Sequence, residues 1–214
     1  MPMWNWLRAI HPQPEQKVAA RWLAPNENPW GLVVLDCTQF ASMMISLTKS
    51  IEVAKKYDSL RSSTGEELRN QVFNPTLSIP CDLAYKITRR APDGPIFKSP
   101  AMEVKWDIYL YDDKLYFCRS WSGEMLYRAT TKCEPPLLHV VLVETSQKSG
   151  EKTTLRNVDF LVKSHALQAK ALHRLPENLG RDPKQLAQHS FSAYGSKGLY
   201  GTLEETIGTP YYYN

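Results

Sequence analysis

Between Val104 and Trp121 apolar and polar side chains alternate with a period of two, and the alternation reverses about Asp112-Asp113. A two-residue turn at these aspartates pairs Tyr111 with Lys114 and Leu110 with Leu115. One face of the hairpin then carries Val104, Trp106, Ile108, Leu110, Leu115, Phe117, Arg119 and Trp121. The other carries Lys105, Asp107, Tyr109, Tyr111, Lys114, Tyr116, Cys118 and Ser120. Successive strand side chains point to opposite sides, so the first set reads as a core face and the second as half wet. Beyond the hairpin, a three-residue turn at Ser122-Gly-Glu124 puts Met125, Tyr127 and Ala129 on the core face. A two-residue turn puts Leu126 and Arg128 there instead, so one residue of slip decides the register.

The hairpin sits in a longer strand-forming region. From 76 to 145 β-branched and aromatic residues dominate and turn signals recur, which predicts strands at 82–89, 103–111, 114–121, 125–132 and 137–145. Pro92-Asp-Gly-Pro95 reads as a turn or loop, and Pro135-Pro136 separates the last two strands. Gly31 to Asp36 reads as a short buried strand. Helical spacing appears at 38–47 through Phe40, Met43, Met44 and Leu47. Ser50 is a cap for a helix to about Leu60, and Thr64-Gly-Glu-Glu67 has capping-box spacing for one to about Val72.

The longest helical stripe runs over 154–173, with Leu155, Val158, Leu161, Val162, His165, Ala169 and Leu172 on one side and Pro176 ending it. Asp182-Pro183 starts a last helix to about Tyr194. Helices and strands segregate along the chain, which predicts an α+β fold: a five-stranded, mostly antiparallel sheet covered on one face by helices. The organisation read from the sequence is an arm over 1–30, one domain over 31–194 and an extended tail over 195–214. The arm holds Trp4, Trp6, Trp22 and Trp30, whose rings are expected to pack on the body, and a short helix at 15–23.

A formal charge of +4 over 214 residues is too weak for a dedicated nucleic-acid binder. The first ten residues are too polar for a signal-peptide core, and no apolar run reaches the ~18 residues of a membrane helix. Cys37, Cys81, Cys118 and Cys133 are scattered without a C-x-x-C pair, which suits reduced thiols in a cytoplasmic protein; two disulfides in an exported protein are the rival reading.

Few residues carry a chemical signal. Arg119, between Trp106 and Trp121 on the core face, is either an anion-binding guanidinium in an aromatic pocket or an edge arginine whose stem covers indole while its head reaches water. His165 lies on the apolar stripe of the long helix, and His139 is the other histidine expected to point inward. Each is either a hydrogen-bonded core residue or a general base. Asp36 and Cys37 stand where a strand gives way to a helix. A thiol near a helix N-terminus can be an activated nucleophile, and Cys is also among the most buried residue types. Phosphate-binding glycine loops and G-x-S-x-G are missing, and no spacing supports a metal site, so neither cofactor nor metal is expected. Seven cations against four carboxylates over 151–184 form a weak basic stripe, read as a solvated face with phosphate contact as the alternative.

Leu115-Tyr-Phe-Cys-Arg-Ser-Trp-Ser-Gly123 and Val158-Asp-Phe-Leu-Val-Lys-Ser-His165 resemble segments of uncharacterised bacterial proteins. No activity follows from that resemblance. It implies that Arg119, Trp121 and His165 share a neighbourhood. The leading expectation is a non-enzymatic, cytoplasmic interaction or accessory protein of bacterial type, immunity-like, with a protein partner offered an aromatic surface by Tyr109, Tyr111, Tyr116 and the Tyr211–Tyr213 tail. The alternative is a small hydrolase or transferase using Cys37 or Asp36 with His165, and Arg119 as anion holder. Nucleic-acid binding and membrane association are not expected, and the oligomeric state stays open.

Overall fold

The computed structural model describes residues 20–213. It is an α+β fold with two sheets. In chain order the elements are β1 (Arg21–Leu23), β2 (Val34–Asp36), α1 (Thr38–Met43), α2 (Ile51–Ser62), β3 (Leu77–Lys86), β4 (Gly94–Phe97), β5 (Trp106–Tyr111), β6 (Lys114–Arg119), β7 (Met125–Glu134) and β8 (Leu137–Thr145). Then come α3 (Glu151–Leu161), β9 (Leu172–Arg174), α4 (Pro183–Tyr194) and β10 (Tyr200–Thr202).

The large sheet has six strands in the order β3-β8-β7-β6-β5-β4, every pair antiparallel. It has one strand more than the five expected, because Gly94 to Phe97 pairs with β5 instead of forming a loop. Proline cannot donate to a ladder and is confined to sheet edges. Here Pro95 sits on edge strand β4 and Pro80 on edge strand β3, each beside an irregularity in pairing. Both edges are thereby blunted against further pairing.

The β5–β6 hairpin has the expected register, Tyr111 with Lys114 down to Trp106 with Arg119. Asp112 and Asp113 take φ of 49° and 57°, the left-handed pair that a two-residue hairpin turn requires. The β6–β7 register contains a bulge between Phe117 and Cys118, so neither simple turn holds throughout. Tyr127 and Ala129 reach the core face together with Leu126, while Met125 joins the opposite face.

The second hairpin face is not half wet. Tyr109, Tyr111 and Tyr116 are buried with Cys118 and Met125 under Leu68 of a single 3-10 turn, Glu66–Asn70. That turn replaces the helix expected to Val72. It starts at Gly65, whose φ of 79° breaks a regular helical entry, and Ser63, not Thr64, bonds Glu67 (2.8 Å). Arg61 of α2 closes this side through Asp107, so helical segments cover both faces of the sheet.

The core face packs on α3 through Val158, Phe160 and Leu161 and on Tyr194 of α4. α3 continues through a π turn over Val162–Ala166 and stops there. The helix predicted to 173 therefore ends early: Gln168 has φ of 54° and Leu172 belongs to β9. α1 likewise ends at Met43 instead of 47. Two caps hold as read: Ser50 Oγ accepts from Val53 (3.3 Å), and Asp182 accepts from Lys184 (2.9 Å) ahead of Pro183.

The small sheet has the order β1-β2-β10-β9, with β10 parallel to β9 and the other pairs antiparallel. Residues 200–202, expected in an extended tail, thus form an interior strand. The predicted helix over 15–23 is strand β1 at 21–23; its first part lies outside the described residues, as do Trp4 and Trp6. Trp22 and Trp30 pack on the body, their indole N–H groups donating to the carbonyls of Arg181 (3.2 Å) and Pro210 (2.8 Å).

Candidate functional site

Arg119 ends β6 directly opposite Trp106 on β5, so both side chains leave the same edge of the core face. The Arg119 guanidinium carbon stands 4.3 Å from the Trp106 ring centre, and Trp106 stacks in turn on Tyr127 (centroids 5.7 Å apart, planes 24° from parallel). The last turn of α4 meets this stack. Helix C-terminal carbonyls lack intrahelical donors and carry the negative end of the dipole. The Ala193 carbonyl accepts from Trp106 Nε1 (2.8 Å) and from Arg119 Nη1 (3.0 Å).

These groups line one wall of a cleft of about 520 Å³ between the sheet, α3 and α4. Arg156 and Asn157 come from α3, Arg174 from the end of β9, and His189 and Tyr194 from α4. Asn157 ties the two walls, donating to Tyr127 Oη (3.0 Å) and accepting from Tyr194 Oη (2.7 Å). Two of the three arginines are matched. Arg156 makes a two-pronged pair with Glu205 (3.0 and 2.7 Å), which holds that carboxyl well below the usual carboxylate range. Arg174 pairs with Glu177.

Arg119 has no carboxylate partner among the described residues. Apart from the bond to Ala193, its N–H groups have no protein acceptor there. Burial pushes its pKa down, since a charge withdrawn from water is disfavoured. Burial lowers that of His189 too. The arrangement is a preset donor fork at the wall of a cleft, the chemistry that takes a carboxylate or phosphate oxygen pair.

The other expected site residues do not join this cleft. Trp121 lies apart, its indole donating to Met102 (2.8 Å) with Lys105 Nζ 4.6 Å over its ring. His165 is wholly buried in the π turn between Phe97 and Phe160, with Nδ1 2.8 Å from Ser164 Oγ. Its Nε2 has no hydrogen-bond partner among the described residues, and burial lowers its pKa to about 3. His139 does not point inward: it is half-exposed and bonds Asp82 (2.8 Å).

Cys37 packs with Phe40, Leu186 and Ala187 in a separate core against α4. Burial pushes its thiol up to about 12, the reverse of an activated nucleophile. Asp36 accepts from the amide (2.9 Å) and hydroxyl (2.6 Å) of Thr38, the first residue of α1. No hydrogen bond among the described residues joins Asp36 or Cys37 to either candidate histidine.

Sequence reasoning missed Arg156, Asn157, Arg174 and His189 as cleft residues. It read Arg156 and Arg174 as part of a solvated basic stripe. Four of its seven cations are paired: Lys152 and Arg156 with Glu205, Arg174 with Glu177, and Lys163 with Asp159 (2.6 Å). The last pair is buried beside Tyr85, which donates to Asp159 (3.1 Å). Its signal in the sequence is a carboxylate and an ammonium four residues apart inside an apolar helical run.

The four cysteines are free. Among the described residues no helix is long and apolar enough to cross a membrane, and no cluster of three or more His, Cys, Asp or Glu has a metal-holding arrangement. Comparison with protein-family models, with curated proteins and with solved structures gives no match.

Proposed function

We propose that this chain is a non-enzymatic binding protein whose Arg119 cleft takes a small molecule bearing a carboxylate or phosphate. The observation that carries the reading is the half-buried Arg119 guanidinium, fixed between Trp106 and the end of α4 and without an acidic partner among the described residues. An unpaired charge in such a setting is costly, and an incoming oxyanion offsets that cost. Binding is favoured over the hydrolase or transferase reading because Cys37 and Asp36 lie away from this cleft, and His165 is enclosed by aromatic rings. The free thiols support a reducing compartment such as the cytoplasm.

The test is calorimetric titration with citrate and inorganic phosphate at low salt. Wild type is expected to bind at least one of them, and Arg119→Met, which keeps the stem and loses the fork, to bind at least tenfold more weakly. Arg181→Met, at an exposed arginine away from the cleft, is the control. Equal affinity of wild type and Arg119→Met, with both folded by circular dichroism, would refute the assignment.

A second reading, a protein partner, rests on the segment joining α1 to α2. Ile45, Leu47 and Ile51 are 71%, 83% and 71% exposed. Between them Ser46 is the residue turned inward, its amide bonded to Glu103 (2.9 Å) and its hydroxyl to Lys105 (2.6 Å). The apolar side chains are thus held outward, the inverse of ordinary patterning. Of the aromatic surface expected from Tyr109, Tyr111, Tyr116 and the Tyr211–Tyr213 tail, the first three are buried and Tyr213 stays exposed. Ile45→Glu with Leu47→Glu is expected to abolish any co-purifying partner while leaving citrate or phosphate affinity unchanged.

A further inference from the structure

A second cleft, of about 550 Å³, opens at the far end of the large sheet. Its origin is the early end of α3. The chain turns away after the π turn, while β3, β7 and β8 run on to Lys86, Glu134 and Leu137. Beyond Leu167 no helix among the described residues covers the core face of the sheet. Ile96, Leu110, Leu115 and Leu138 from four strands, with Val162 and Leu167 from the π turn and the residue after it, make the walls. The size and apolar lining are those of a small-molecule site.

The charge at the mouth is mostly positive. Lys86, Arg89 and Arg90 lie on the rim with a single carboxylate, Asp113. Asp113 is engaged by Arg90 (3.0 Å), which also holds Asp93 (3.2 Å). Lys86 and Arg89 are exposed and have no ion-pair partner among the described residues. An apolar channel whose rim offers two free cations is complementary to an aliphatic chain with an anionic head, and repels the same chain with a cationic head.

We propose that this cleft binds a single-chain aliphatic carboxylate, its hydrocarbon against Leu110, Leu115 and Leu138 and its head between Lys86 and Arg89. The site is independent of the Arg119 cleft, with which it shares no lining residue.

Dodecanoate, kept below its micellar concentration, is the probe. Titration of the full chain is expected to give one site. Cys133, which lines the cleft, reports occupancy: saturation is expected to slow its alkylation by iodoacetamide at least tenfold, read by mass spectrometry of its peptide. Dodecyltrimethylammonium is expected to bind at least tenfold more weakly than dodecanoate. Lys86→Glu with Arg89→Glu, two exposed changes, is expected to invert that order, and Ala166→Phe, which fills the helix side of the cleft, to abolish both. Arg119→Met is expected to leave dodecanoate affinity unchanged, so the two sites fail or stand separately. The proposal is overturned by absence of saturable binding, by unprotected Cys133 at saturation, or by equal affinity for the two head groups in wild type and in the double variant.

Discussion

Arg61 of α2 and Asp107 of β5 form a two-pronged ion pair (3.1 and 2.6 Å) on the sheet face away from α3, with Lys98 Nζ 3.4 Å from the same carboxylate. Asp107 is 1% exposed and also accepts from the Ser99 amide (2.7 Å). Arg61 spans further, donating to the carbonyls of Ser99 (2.6 Å) and Ser120 (3.1 Å). Removing one partner of a buried pair leaves the other charged and unsolvated, which costs about 3–5 kcal/mol. Asp107→Ala is expected to lower stability by that amount in urea unfolding. Asp107→Ala combined with Arg61→Met is expected to recover part of the loss. A cost under 1 kcal/mol for the single change would show that α2 does not depend on this pair.

The thiols make a kinetic prediction. Burial pushes Cys37 and Cys118 up to about 12, so both are protonated near neutral pH and shielded from reagent. Half-buried Cys133, at the apolar cleft, lacks that burial. Iodoacetamide at pH 7.5 is expected to modify Cys133 first, and Cys37 and Cys118 only on unfolding. Fast alkylation of Cys37 in the folded protein would restore the nucleophile reading that its surroundings oppose.

These cases also mark how far the sequence is legible. The β5–β6 register follows from alternation and the two aspartates, since a one-residue slip would expose the core side chains. α2 and α4 begin where Ser50 and Asp182 place them, because a cap is a local bond. The end of α3 is not local: Ala169 and Leu172 keep helical spacing, yet the chain leaves the helix at Gln168 and buries them in irregular backbone and β9. The face with Tyr109, Tyr111 and Tyr116 reads as wet because its cover comes from Arg61 and Leu68, distant in sequence. Arg119 and Trp106 were identifiable as one aromatic-cationic unit from their shared face. Arg156, Asn157, Arg174 and His189 reach the cleft only because α3, β9 and α4 converge on it, and no spacing encodes that.

Gly195 fixes how α4 meets the sheet. Its φ of 66° and ψ of −148° lie in a region open almost only to glycine. A Cβ there would stand 1.9 Å from the Glu103 carbonyl oxygen, a backbone atom that cannot swing aside. Gly195→Ala is expected to cost at least about 3 kcal/mol, strain and clash together. Gly180 shares the positive φ but has nothing within 4 Å of such a Cβ, so Gly180→Ala isolates the backbone term at about 1–3 kcal/mol. Because Ala193 anchors Arg119 and Trp106, Gly195→Ala is also expected to weaken oxyanion binding where the protein still folds. Thermal unfolding with calorimetric titration reads both.

Two wholly buried histidines contribute to the acid limb of stability. Burial lowers His165 from 6.5 to about 3 and His173 from 6.5 to about 4, and neither Nε2 has a hydrogen-bond partner among the described residues. Both stay neutral in the folded chain while the unfolded chain takes up protons below about pH 6.5. The unfolded state then binds more protons, so stability falls as pH drops from 6.5 toward the folded values. Each histidine accounts for about 2 kcal/mol lost at pH 5 and a limiting slope of about 1.4 kcal/mol per pH unit. His165→Leu, which keeps an apolar group between Phe97 and Phe160, removes one of the two linked protons. Urea midpoints measured from pH 7 to pH 5 are expected to decline less steeply in His165→Leu than in wild type, whatever its stability at pH 7. An unchanged slope would mean that His165 is protonated in the folded state, and hence that its ring finds an acceptor or solvent that the packing of Phe97 and Phe160 denies it.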